Sequence, residues 1–176
     1  MSNISTGTVT TVVNREEIVE NTSCSTSHLS SMFASFLTGR TVPEMGYQKY
    51  FVLYQGEAKN LRASYEEDAK MSSLPDTLID RIDVRISSTS RDVDGTYYAT
   101  FVGTFNGTVP HIDNINTQNI PLSLALAAGD SILAFAPFDA EVYRDIMNGS
   151  RVEIKWKLQL KHVTTIKEII KEEENN

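Results

Sequence analysis

The 176-residue chain predicts an α+β fold, a mainly antiparallel β-sheet with two or three short helices, a flexible N-terminal arm over residues 1–27 and an acidic C-terminal tail over residues 166–176. Three observations predict it. Between Arg151 and Lys161, Val152, Ile154, Trp156, Leu158 and Leu160 alternate with Arg151, Glu153, Lys155, Lys157, Gln159 and Lys161, the period of a strand with one apolar and one charged face. Asp94-Gly95 and Gly129-Asp130 each separate two β-patterned runs, which is the composition of hairpin turns. Two short windows carry the 3.6-residue period of amphipathic helices instead.

Residues 1–27 are dominated by Ser, Thr and Asn, with too few large apolar groups to offset the entropy of ordering them. This composition predicts the arm. Leu29, Met32, Phe33, Phe36 and Leu37 then recur at i, i+3, i+4, i+7 and i+8, with Ser27 or Ser30 as N-cap and Gly39 as the stop. Such a helix packs on its own domain, or docks on a neighbouring subunit or a membrane surface through Leu29, Met32, Phe33 and Phe36. A single domain is expected over residues 28–165.

Tyr47 to Ala58 is aromatic and β-branched up to Gly56, a first long strand. Glu66-Glu67-Asp68 reads as an acidic loop, and Ser73 followed by Pro75 opens a short helical turn. Ile82, Val84 and Ile86 alternate with Asp83, Arg85 and Ser87 as a second strand, and Asp94-Gly95 turns the chain into a strand from Tyr97 to Phe105. Asn106-Gly107 marks the next turn and residues 108–119 a polar connection. Leu122, Leu124 and Leu126 pair across Gly129-Asp130 with Ile132, Leu133 and Phe135 as two central strands. Asp139 caps a helix through Met147, with Val142 stacked on Ile146 and Tyr143 on Met147, and Asn148-Gly149 ends it. After the basic strand, Ile166, Ile169 and Ile170 suggest a last helical turn before the solvated Glu172-Glu173-Glu174 tail.

Composition excludes several function classes. The lone Cys24 leaves no disulfide, thiolate zinc cluster or redox pair, which favours a reducing compartment. The sequons at Asn3, Asn21, Asn106 and Asn148 are read as unused, because the start carries neither a basic region nor an apolar run. The apolar tract from Ile120 to Phe138 is broken by Pro121, Gly129, Asp130 and Pro137, so it reads as a hairpin and leaves only peripheral membrane contact. His28, His111 and His162 have no carboxylate or cysteine at ligand spacing, so no metal is expected. Asp92-Val93-Asp94-Gly95 lacks the later acidic positions of a calcium loop. No phosphate-cradling glycine loop and no Gly-x-Ser-x-Gly elbow occurs. The expectation is a protein that is not an enzyme, with no cofactor and no small-molecule substrate.

What remains is the basic stripe. In a chain of formal net charge -7, the outer face of the last strand carries four cations against one carboxylate. Arg151, Lys155, Lys157 and Lys161, joined by Arg144 from the preceding helix, suit the phosphates of RNA or of lipid headgroups. The competing explanation is that lysines on an edge strand merely prevent unwanted pairing. Base-specific readout is not expected, since no aromatic interleaves the cations apart from Tyr98 on another strand.

The order of a polar arm, Tyr50-Phe51-Val52-Leu53-Tyr54, a short helical turn, a central sheet and Val152-Glu153-Ile154-Lys155-Trp156-Lys157-Leu158 resembles the layout of the small matrix proteins of plant rhabdoviruses, over about residues 45–165. The resemblance implies a non-enzymatic structural protein of the virion and host cytoplasm. It would form homo-oligomers, condense the viral nucleocapsid or its RNA, and contact an anionic membrane peripherally. The chain departs from animal-virus members in lacking a lysine-rich N-terminus and the Pro-Pro-x-Tyr and Pro-Thr-Ala-Pro motifs. The alternative is a jelly-roll-like viral coat or movement protein that binds RNA non-specifically. One sheet covered by helices on a single face favours the first reading, and two stacked sheets favour the second.

Overall fold

The computed structural model describes residues 6–57, 70–71, 78–91, 93, 95, 97–106 and 121–160. In these the chain is mainly antiparallel β-sheet. The strands are β1 (Thr6–Val13), β2 (Glu16–Ser25), β3 (Lys49–Gln55), β4 (Leu78–Asp83), β5 (Arg85–Arg91), β6 (Tyr97–Phe105), β7 (Leu122–Ala128), β8 (Ser131–Phe138) and β9 (Val152–Leu160). The helices are α1 (Ser27–Leu37), the short α2 (Pro43–Gly46) and α3 (Ala140–Met147). The helical turn expected near Ser73, the connection over 108–119, Lys161 and everything expected beyond it lie outside the described residues.

The strands are hydrogen-bonded in the order β4-β3-β7-β8-β2-β1-β9-β6-β5. β2 and β8 share just two residue pairs, Cys24 with Phe135 and Ser25 with Ala134, and at this seam the sheet doubles over. A four-strand layer, β4-β3-β7-β8, therefore stacks on a five-strand layer, β2-β1-β9-β6-β5. Across the gap Phe51 of β3 stacks on Trp156 of β9 at 5.7 Å, and Phe105 of β6 meets Phe138 of β8 at 6.4 Å. On the opposite side β4 and β5 are a single run of chain interrupted at Val84, whose N–H donates to the Lys49 carbonyl at 3.0 Å. The strand expected through Ile82, Val84 and Ile86 is thus divided, one half serving each layer.

The interior follows from side-chain alternation. Val9, Val13, Phe101, Phe105, Val152, Ile154, Trp156 and Leu158 from the five-strand layer meet Phe51, Leu53, Leu124, Leu126, Ala134 and Ala136 from the other. Trp156 is fully buried, and its indole N–H donates to the Ser23 hydroxyl at 3.1 Å. That bond satisfies a donor which would otherwise be stranded in apolar surroundings. Gly103 is required by packing, because a Cβ there would lie 2.8 Å from the Phe51 ring. The four-strand layer is apolar on its back as well, where Val52, Tyr54, Ala125, Ala127, Ile132 and Phe135 are buried with Met71 against them. This is why β7 reads as an unbroken apolar run, Leu-Ser-Leu-Ala-Leu-Ala-Ala.

α3 packs on β1 and β9 and contributes Val142, Tyr143 and Ile146 to the core. Asp139 caps it as its sequence predicts, accepting the Glu141 N–H at 2.7 Å, and Gly149 takes φ +87° just past its end. Asp139→Ala is expected to lower stability by about 1 kcal/mol, read as a shift in the urea midpoint.

The flexible arm expected over residues 1–27 is corrected for residues 6–25, which form β1 and β2. β1 pairs with β2 on one side and β9 on the other, so it sits inside its layer. Thr, read as solvating, here does the work of a β-branched strand former. Gly7, Val9, Thr11 and Val13 turn inward and are buried, while Thr8, Thr10 and Val12 face out. The jelly-roll winding of the alternative reading is also not found. The consecutive pairs β1–β2, β3–β4, β5–β6 and β7–β8 each stay within one layer, whereas jelly-roll strands pass repeatedly from one layer to the other.

Candidate anion-binding face

β9 has the alternation its sequence predicts. Val152, Ile154, Trp156 and Leu158 are buried, and Glu153, Lys155, Lys157 and Gln159 lie on the outer surface. Its position removes one explanation of the lysines. β9 pairs along its length with β1 and with β6, so it is an interior strand and its lysines guard no edge.

Strand register sets their neighbours. Lys157 lies between Thr8 and Thr100, Lys155 between Thr10 and Val102, and Glu153 between Val12 and Thr104. The face is therefore a flat field of threonines with cations along its midline. Tyr98 of β6 projects onto the same face, and the Lys157 ammonium stands 4.0 Å from its ring centroid, close enough for a cation–π contact. Tyr98, the one aromatic that the sequence offers beside the cations, adjoins them.

The candidate cations are not equivalent. The Lys155 ammonium is 3.7 Å from the Glu153 carboxylate, and Arg144 on α3 is 3.6 Å from Glu141. The Arg144 pair is solvent-exposed and the Lys155 pair partly so, and contacts of this kind contribute little. Arg151 is exposed at the start of β9, and among the described residues no carboxylate lies within ion-pair distance of it. Lys161 lies outside the described residues. The sequence-predicted set thus resolves into Lys155 and Lys157 on one strand, Arg151 immediately before it and Arg144 on a neighbouring helix.

A cation missed by the sequence reading joins them. The β1–β2 turn is formed by Asn14 and Arg15, with φ of +47° and +79°. Positive φ at both central residues is what a two-residue hairpin turn requires, and asparagine then glycine is the favoured pair. An arginine in the second place costs on the order of 1 kcal/mol of backbone strain. Asn14 fixes this turn to the start of β9. Its N–H donates to the Arg151 carbonyl at 3.0 Å, its carboxamide oxygen accepts the Arg151 N–H at 3.3 Å, and its amide nitrogen donates to the Ser150 hydroxyl at 3.5 Å. Arg15, Arg151, Lys155, Glu153, Asn14 and Val12 together line an open cleft of about 520 Å³. Arg15 went unseen because it fell in the supposed arm. The available signal was two alternating runs flanking Asn14.

The self-association set is divided by the fold. Leu29 is buried in the main core, which corrects it from a partner contact to interior packing, and the partly buried Met32 packs against that core. The side chain of Phe33 lies outside the description. Phe36 is 56% exposed, and the adjacent Leu37 is 82% exposed.

Among the described residues no helix is long and apolar enough to cross a membrane. No family model, curated protein or solved structure matches the chain.

Proposed function

We propose that this protein is a non-enzymatic structural protein that binds RNA without sequence preference through the outer face of its five-strand layer, in the manner of a viral coat or movement protein. The observation that carries this reading is the pair Lys155 and Lys157, held outward on an interior strand whose other side is anchored in the core, with Arg151 exposed just before it. Rigid placement matters because cations fixed in advance lose little side-chain freedom when phosphate arrives. Lys155 and Lys157 are two strand residues, or about 7 Å, apart, the order of the separation between successive phosphates of an extended nucleic-acid strand. Tyr98, already against Lys157, offers a base a stacking surface that requires no particular sequence. Partners in this reading are RNA and further copies of the chain, in the virion and host cytoplasm.

Two stacked sheets, though not wound as a jelly roll, favour this over the matrix-like role, for which a single sheet with helices on one face was expected. The matrix-like reading, with self-assembly and peripheral contact with an anionic membrane, retains one supporting feature in exposed Phe36 and Leu37. Changing both to Ser should leave the melting temperature within a few degrees and weaken self-association by about tenfold per residue, measured by sedimentation equilibrium. Unchanged association would remove this support. The primary reading is tested by comparing binding to a single-stranded oligonucleotide and to anionic vesicles between about 50 and 200 mM salt; salt-sensitive binding to vesicles alone would reverse the preference.

A further inference from the structure

Three cations from two distant parts of the chain converge on the cleft at the β1–β2 tip, against the single carboxylate of Glu153. Two features separate this cleft from ordinary surface charge. Arg15 occupies a left-handed backbone position that glycine fills more easily, so placing a cation there works against the turn. Asn14 spends its backbone N–H and both polar atoms of its side chain on Ser150 and Arg151, holding the two arginine-bearing segments together despite the mutual repulsion of their charges. A local excess of positive charge built at the expense of backbone comfort and charge separation fits a site completed by an anion.

We infer that the cleft bounded by Arg15, Arg151 and Lys155 is a discrete phosphate-binding site, one per chain. Guanidinium groups donate two parallel N–H bonds to phosphate oxygens, and an ammonium adds a point charge. Glu153, paired with Lys155 at 3.7 Å, offsets part of the positive charge of the cleft and leaves the two guanidinium groups as its main donors. The inference deepens the RNA-binding reading and rests on it only in taking RNA as the source of that phosphate. Bound there, a phosphate would fix the end of a strand that continues over Lys155 and Lys157.

The test uses the full chain and inorganic phosphate as probe, with backbone amide shifts followed by NMR against sodium chloride at matched ionic strength. The expected result is saturable binding of one phosphate that moves the amides of Asn14 to Glu16 and Arg151 to Lys155, and competition between phosphate and a single-stranded oligonucleotide. Arg15→Gly is expected to weaken phosphate binding about tenfold while leaving the melting temperature unchanged or raising it by up to about 3 °C. A residue present for structure would give the opposite pattern. Arg151→Gln, which keeps the backbone bonds to Asn14, should weaken phosphate binding similarly. Amides unmoved by phosphate overturn the inference, and so does phosphate binding that survives both variants. If RNA still binds through Lys155 and Lys157 in that event, the broader reading stands. Phosphate seated in the cleft of a protein that ignores RNA sinks the broader reading and leaves the inference intact.

Discussion

Trp156→Ala is expected to lower the stability of the protein by about 4 kcal/mol, a large part of the 5–15 kcal/mol that holds a typical domain together. Three losses combine. The indole is fully buried, so its removal opens a cavity between the layers. Phe51, stacked on it at 5.7 Å, loses its partner across the gap. The Ser23 hydroxyl loses the N–H it accepts at 3.1 Å. Trp156→Phe keeps most of the volume and is expected to cost much less, about 1–2 kcal/mol. Calorimetric melting distinguishes the two, with a fall in Tm of roughly 10 °C or more for the alanine variant at this chain length. Equal effects from the two substitutions would mean that Trp156 is not a contact between layers.

Reversal of charge at Lys155 and Lys157 to Glu is expected to weaken binding to a single-stranded oligonucleotide by about a hundredfold, and to flatten the salt dependence by a slope of about 1.4, the share of two phosphate contacts. The fold should survive, because Lys155 is exposed, Lys157 is half-buried, and the inner face of β9 is untouched. Fluorescence anisotropy between about 50 and 200 mM salt measures both quantities. A lower affinity with an unchanged slope would place the lysines outside the phosphate contacts.

How legible the fold was depended on the range of the interactions. β9, the β7–β8 hairpin and the two caps of α3 rest on neighbours in sequence: strict alternation, Gly129 between two apolar runs, and Asp139 and Gly149 at the helix ends. Those elements were readable. The β1–β2 hairpin was not, because Thr8, Thr10 and Thr22 combine the polarity of a solvated segment with the branched Cβ of a strand. The fate of such residues depends on what lies alongside, and here that is Lys157, Lys155 and the rest of a strand at the other end of the chain. Doubling of the sheet at Cys24 and Phe135 was invisible for the same reason. The candidate site inherited this limit. Its half on β9 was legible from alternation, whereas Arg15 gained meaning only when Asn14 tied its turn to Arg151.

The insertion of β1 between β2 and β9 bears on how the protein is made. Gly7 lies opposite Leu158 and Val13 opposite Val152, so among the described strands the first to be synthesised depends on the last. Until that final segment emerges, the nascent hairpin keeps an open edge and its inward valines lack their cover. Contacts so remote in sequence also slow closure of the polypeptide. Completion of the core is therefore expected to wait for synthesis of β9, with the N-terminal hairpin exposed to misassociation in the interval.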